Sequence, residues 1–343
     1  MTTRILASAR GTILNRLTLV PLATLILQAA CSTAHSSARA TSSERSQAGI
    51  ATLVIAADSF ASARRYQEAS DRYAAALRLW PDSLGIAKRA LGAFWRAARY
   101  DDAYVWGRRV LAREPRSLDV LFNLGVTCGF LIELQCVDES FHRGLALDSS
   151  FVDGHGELAF LAQAKGNLSE AIRHMEAAYA LAPDNDFAVS GLAQMLIPAR
   201  QAERARSVMR PRLRANRKAR AYGGRSMLTL DAWALLQLGD TASANVEFNE
   251  VLGSLREREQ AGQTTYQLYR ERAAIYALRG ERVAAISAMQ TAYDRGWRLY
   301  GSWSLPDPMF ANVMGESAVV LLVERMRADV RAMRRRLGMD TAN

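Results

Sequence analysis

The fold predicted is all-α: a right-handed superhelical solenoid of stacked helical hairpins, ending in a C-terminal capping helix. Three rulers in the 343-residue sequence predict it. Pro81, Pro115 and Pro183 fall on a 34-residue spacing, with Ser149 at the missing mark. Small residues run in phase with them at Ala69, Ala103, Val137, Ala171 and Ala205. Bulky side chains follow four positions later at Tyr73, Phe141, Met175 and Met209, with Gly107 the exception. A fixed period of this length marks units that cannot bury their apolar faces alone and must stack to do so.

The N-terminal elements precede the array. Arg4, Arg10 and Arg16 make a basic leader, Leu17 to Ile26 is almost wholly apolar, and Ala29-Ala30 stand before Cys31. The apolar run is short for a membrane span and reads as an export signal over residues 1–30. The stretch LILQAAC resembles a bacterial lipoprotein signal, with Gln28 where that family has an apolar residue. The resemblance implies lipid on Cys31, and Ser32 after it implies an outer-membrane protein facing the periplasm; a periplasmic or inner-membrane-anchored form is the alternative. Residues 31–49 are rich in Ser, Thr and Ala and aperiodic, as a flexible tether would be.

The repeats occupy residues 50–297, and the unit from Phe151 to Pro183 shows their logic. His155, Leu158, Ala159 and Ala162 recur at helical spacing, and Gly166-Asn167 breaks the chain. Leu168, Ala171, Ile172, Met175, Ala178 and Tyr179 form the second stripe, which Pro183 stops. This pattern resembles the tetratricopeptide repeat. Five in-phase units span residues 50–219, starting near Ile50, Leu84, Leu118, Val152 and Asp186. Two divergent units span 220–297, with Gly223-Gly224 and Arg256 to Thr265 absorbing the extra residues. In residues 298–343 a loop with Pro306 and Pro308 leads to a last helix. That helix carries Val319, Leu322, Met326, Val330, Met333 and Leu337 on one face and arginines on the other, as a cap requires.

Cys128 and Cys136 sit near facing ends of one hairpin, so they form either a disulfide or a pair of small buried thiols. A bridge there would contribute about 2.5 kcal/mol. Net charge is +10, carried almost entirely by arginine. Much of the excess lies in Arg204, Arg206, Arg210, Arg212, Arg214, Arg217, Lys218 and Arg220, with no acid between them. Arginine forks suit phosphate and carboxylate, which makes this run a candidate anion patch for lipid A phosphates or anionic headgroups. The bland reading is a solvated helix face. No aromatic interleaving accompanies the arginines, which argues against nucleic acid.

No catalytic constellation, metal-ligand spacing or phosphate-cradling glycine loop is present, so neither an enzyme nor a cofactor is expected. His155 takes a packing position in the repeat. The tetratricopeptide resemblance implies a concave groove lined by the first helix of each unit. The matching positions here are Lys88, Trp95, Phe122, Asn123, Asp153, Glu157, Phe160, Gln163, Ser190 and Gln194. Rings beside amides and carboxylates suit a peptide segment of a partner protein. Lys88 and Asn123 match two positions of the carboxylate-gripping subclass of these repeats, but Gly92, Asp153 and Glu157 break its pattern. The expected role is an envelope scaffold without turnover. One rival is an electrostatic binder of envelope polyanions. Another is a glycan-processing or glycan-binding protein using Asp153 and Glu157 as paired carboxylates.

Overall fold

A computed structural model describes residues 47–221, 224–298 and 307–339. The leader, Cys31, Gly223, Pro306 and most of the tether therefore lie outside the described residues. The chain divides into two compact units, Met1–Thr52 and Leu53–Asn343. Of the first, residues 47–52 are described and helical, with the Thr52 hydroxyl donating to the Ala48 carbonyl at 2.9 Å. The second holds the solenoid.

Helix α1 (residues 53–62) pairs with α2 (Tyr66–Leu79), then α3 (Leu84–Arg96) with α4 (Tyr100–Leu111) and α5 (Leu118–Phe130) with α6 (Leu134–Leu147). The array continues as α7 (Val152–Ala164) with α8 (Leu168–Leu181) and α9 (Asp186–Leu196) with α10 (Ala202–Ala215). The divergent hairpins are α11 (Met227–Gln237) with α12 (Thr241–Gln260) and α13 (Tyr266–Leu278) with α14 (Arg282–Asp294). Helix α15 (Ser317–Arg336) is last. The small residues of the ruler, from Ala69 to Ala205, are each at most 1% exposed. Tyr73, Phe141, Met175 and Met209 are buried beside them. At the exception, Gly107, a Leu124 methyl from the next hairpin fills the space, 3.3 Å from where a Cβ would stand.

Helix ends follow local chemistry. Ser83, Asn167, Asn185, Ser226 and Asp240 each cap a helix by accepting a backbone N–H. The turn inside each in-phase hairpin places one residue in the left-handed region: Arg64 at φ 58°, Ala98 at 58°, Ile132 at 56°, Gly166 at 79° and Arg200 at 61°. These also lie 34 residues apart, yet glycine fills only one of them. The stretch from Arg256 is not all loop: α12 runs on to Gln260, with Leu255 buried, and stops before Gly262 at φ 84°.

Two features go beyond a simple stack. Cys128 and Cys136 are joined by a disulfide across the α5–α6 turn. Helix α15 covers α14, with Tyr293 donating to Asp329 at 3.1 Å, and also reaches back across the array. Arg334 donates to the Leu131 carbonyl at 3.0 Å and to Glu133 at 2.7 Å in that same turn, and Arg336 pairs with Asp101 at the start of α4. The last helix is thus a strap as well as a cap.

Two stability changes follow. Ala98→Gly removes an exposed left-handed alanine and is expected to raise unfolding stability by about 0.5–1 kcal/mol in urea titration. Arg334→Ala is expected to lower it by about 1–3 kcal/mol, with faster amide exchange in α15 than in α8.

Candidate peptide-binding groove

The first helices of the hairpins set the groove positions, and the structure treats them unequally along the array. Between α3, α5 and α7 lies an open cavity of about 390 Å³ whose walls include Lys88, Phe122, Asn123 and Asp153. Arg89, Arg96 and Phe151 share those walls and were missed in the sequence. Lys88 donates to Glu114 at 2.7 Å, and Arg89 pairs with Asp58. Trp95 is spent between repeats: its indole N–H donates to Asn123 Oδ1 at 2.9 Å, and the Arg96 guanidinium lies 4.1 Å above its ring. Phe122 meets Phe141 and Phe151 edge-on, each at 6.4 Å. Burial pushes the Asp153 carboxyl above its ordinary value.

Further along, the expected wall closes. Glu157, Phe160, Ser190 and Gln194 are buried, and Gln163 is half-buried. The four buried residues belong to the packing between repeats rather than to an open face. Gly156 shows how close the two repeats come here. A Cβ there would stand 2.1 Å from the Phe187 ring, so its absence lets that ring fill the gap between α7 and α9. Phe187 and Phe160 lie 6.3 Å apart. With Glu157 buried, Asp153 and Glu157 do not form an open carboxylate pair.

At the last hairpin the chain occupies its own groove face. Arg270 in α13 stands at the offset that Lys88 holds in α3 and Phe122 in α5. It faces Asp307 at 3.7 Å, and Arg225, just before α11, ion-pairs with the same carboxylate. All three are buried. Burial alone would raise the Asp307 carboxyl, but the two guanidinium groups hold it below its ordinary value. The neighbouring 3-10 turn Pro308–Phe310 packs on α13, with Phe310 5.7 Å from the Trp297 ring. Asn312 donates to the Ala277 carbonyl at 3.3 Å. Glu271, next to Arg270, accepts from the Thr229 hydroxyl at 2.9 Å and from the Ser226 N–H at the start of α11. Arg270 and Glu271 were not among the groove residues read from the sequence, and the repeat offset is the one signal that could have found them. Nothing local marked Asp307 as their partner.

The arginine run is less bare than its sequence. Arg204 pairs with Glu176, Arg206 with Asp231 at 2.8 Å, Arg212 with Asp186 at 2.5 Å and Arg217 with Glu250 at 2.8 Å. Neighbouring helices supply every one of these acids. Arg210, Arg214, Lys218 and Arg220 remain exposed. Beside this group, Glu247 is pushed up to about 7, by burial first and then by the Asp231 carboxylate, against the pull of Arg217 and Arg206.

Histidines add no site. His155 lies 5.9 Å from His174, and burial together with His155 lowers His174 from its ordinary value. No group of metal-ligating residues occurs among the described residues. No helix among them is long and apolar enough to cross a membrane.

A tetratricopeptide-repeat family model matches residues 162–228. A tetratricopeptide repeat protein of Parabacteroides merdae ATCC 43184 is similar in structure, with TM-score 0.53 at 13% identity over 81% of this chain and 99% of that one. The fold is a tetratricopeptide-type solenoid. A thermophilic protein of the same repeat class from Thermus thermophilus is 16% identical with TM-score 0.45, over 55% of this chain and 98% of its own. No curated protein matches the chain in sequence.

The Glu247 carboxyl sets a pH dependence. Its pKa is about 7 when folded, above the ordinary carboxylate value near 4.3. Between these values the folded state holds a proton that the unfolded state has lost, so stability falls as pH rises and the whole cost is present above pH 7. Glu247→Gln is therefore expected to flatten the fall in urea midpoint between pH 5 and 8, and to be the more stable protein at pH 8.

Proposed function

We propose that the chain is a non-enzymatic scaffold of the bacterial cell envelope. Lipid on Cys31 holds it to the outer membrane, and the open groove stretch between α3 and α7 holds a peptide segment of a partner protein. One observation carries the groove reading: at α13 the same face already grips an irregular segment, Asp307 on Arg225 and Arg270 with Phe310 against Trp297. The open stretch brings the same kinds of side chain to a cavity, with Lys88 and Arg89, each ion-paired, and Arg96 beside Phe122 and Phe151. A segment combining an acidic and an aromatic residue fits it. Rings supply buried area there, and cations fix direction.

The test is capture by cross-linking from intact envelopes. A discrete partner held by the wild type should be lost from Phe122→Ala and from Lys88→Glu, with binding of its isolated segment weakened at least about tenfold. Equal capture by both variants would remove the binding site from this stretch. Mass spectrometry of the mature N-terminus tests the anchor separately: acyl mass on Cys31 is expected, and an unmodified Cys31 would overturn it.

A further inference from the structure

A second cavity, of about 240 Å³, opens where α10 passes into α11. Its walls are Arg217, Lys218, Arg220 and Ser226 on one side, and Glu250, Val251, Ser254, Leu255 and Arg258 of α12 on the other, with Leu228 and Glu271 behind. Charge around it does not balance. Glu250 is taken by Arg217 through contacts of 2.8 and 3.0 Å. Glu271 accepts from the Thr229 hydroxyl and the Ser226 N–H, neutral donors that leave its charge on the back wall, so three cations stand against one carboxylate. Among the described residues Arg258 has only the neutral Gln263 amide oxygen, at 2.9 Å. No carboxylate within ion-pair distance answers Lys218 or Arg220 among the described residues. Partial desolvation at the cavity lowers the Arg220 guanidinium from its ordinary value although the residue keeps exposed surface, Glu271 opposes this, and the like charges of Arg258 and of Arg64 in the α1–α2 turn add to it. Three cations thus converge on a small cavity that also presents two hydroxyls, Ser226 and Ser254.

We infer that this cavity is a binding site for a phosphate monoester, held by Lys218, Arg220 and Arg258. The volume lies below the range of drug-sized pockets, so it takes one headgroup rather than a large ligand. A dianion with several acceptor oxygens answers three positive charges better than a single carboxylate does, and the arginine forks suit its geometry. The site replaces the diffuse eight-residue patch with three named side chains. It is independent of the peptide groove, which lies between other helices.

The full chain is titrated at physiological ionic strength by calorimetry and by ³¹P line broadening with inorganic phosphate, glucose 6-phosphate and acetate. It is also sedimented with phosphatidylcholine vesicles with and without phosphatidic acid. Binding of the phosphates but not acetate is expected. The Arg220→Gln/Arg258→Gln variant should weaken it about tenfold or more, while Arg210→Gln/Arg214→Gln, outside the cavity, should leave it unchanged. Ser254→Phe fills the cavity without altering charge and should abolish binding even if the arginine variant folds poorly. Sedimentation dependent on phosphatidic acid would assign the monoester to a lipid headgroup, and binding of glucose 6-phosphate alone would assign it to a soluble ester. Equal loss in the two arginine variants, equal binding of acetate, or no phosphate binding by the wild type would overturn the site.

Discussion

A small side chain, fully buried, sets the distance between the two helices of each in-phase hairpin. Ala69, Ala103, Val137, Ala171 and Ala205 lie where the helices touch, and none is more than 1% exposed. With backbones that close, one bulky neighbour per unit fills the remaining space, and its volume cannot change freely in a close-packed interior. The same closeness recurs within the α5–α6 hairpin, where Gly125 admits the Phe141 ring, and between adjoining hairpins, where Gly191 of α9 admits Met175 of α8. Curvature and groove shape both inherit from this spacing. Where a glycine lets a ring intrude, as Gly156 does for Phe187, the groove floor fills.

The close-approach constraint is also why so much of the fold is legible in sequence. Alanine and proline positions reveal it directly, and glycine marks the turns at Gly166, Gly239 and Gly280. The other in-phase turns are not legible, because Arg64, Ala98, Ile132 and Arg200 adopt left-handed backbone against their own preference. Such a conformation persists only where its surroundings enforce it. At Ile132, a β-branched residue, the surroundings are identifiable: the disulfide clamps the turn from both sides, and Arg334 holds the carbonyl of the preceding residue, Leu131. The strap and the strained turn support each other across more than half of the chain.

Charge is the least legible property, and the reason is geometric. Repeats place partners in space at nearly constant sequence offsets rather than side by side. Arg99 with Asp71, Arg204 with Glu176 and Trp95 with Asn123 are each 28 residues apart, and Lys88 with Glu114 and Arg212 with Asp186 are 26 apart. That offset is one repeat less roughly two helical turns. A run of arginines read locally therefore looks bare, although its acids stand on its own hairpin's first helix and on the preceding and following hairpins. At the junction of α10 and α11, where the in-phase period ends, Lys218 and Arg220 have no carboxylate within ion-pair distance among the described residues.

The groove shows the same division between what a repeat pattern encodes and what a particular chain does with it. Lys88, Phe122, Asn123 and Asp153, named from the repeat offsets, share the walls of one cavity. The offsets say nothing about a segment more than thirty residues further on returning to α13, because that return depends on a carboxylate, Asp307, outside the period. Burying Asp307 alone would be costly, and two buried arginines in an apolar groove would be costlier still. Each group is tolerable only in the presence of the others, so Arg225, Arg270 and Asp307 form one unit that fixes where the chain re-enters. Breaking one partner is expected to do more harm than replacing all three by apolar residues of similar volume. That asymmetry makes the C-terminal end of the groove a closed, specified surface and leaves the stretch between α3 and α7 as the part open to another molecule.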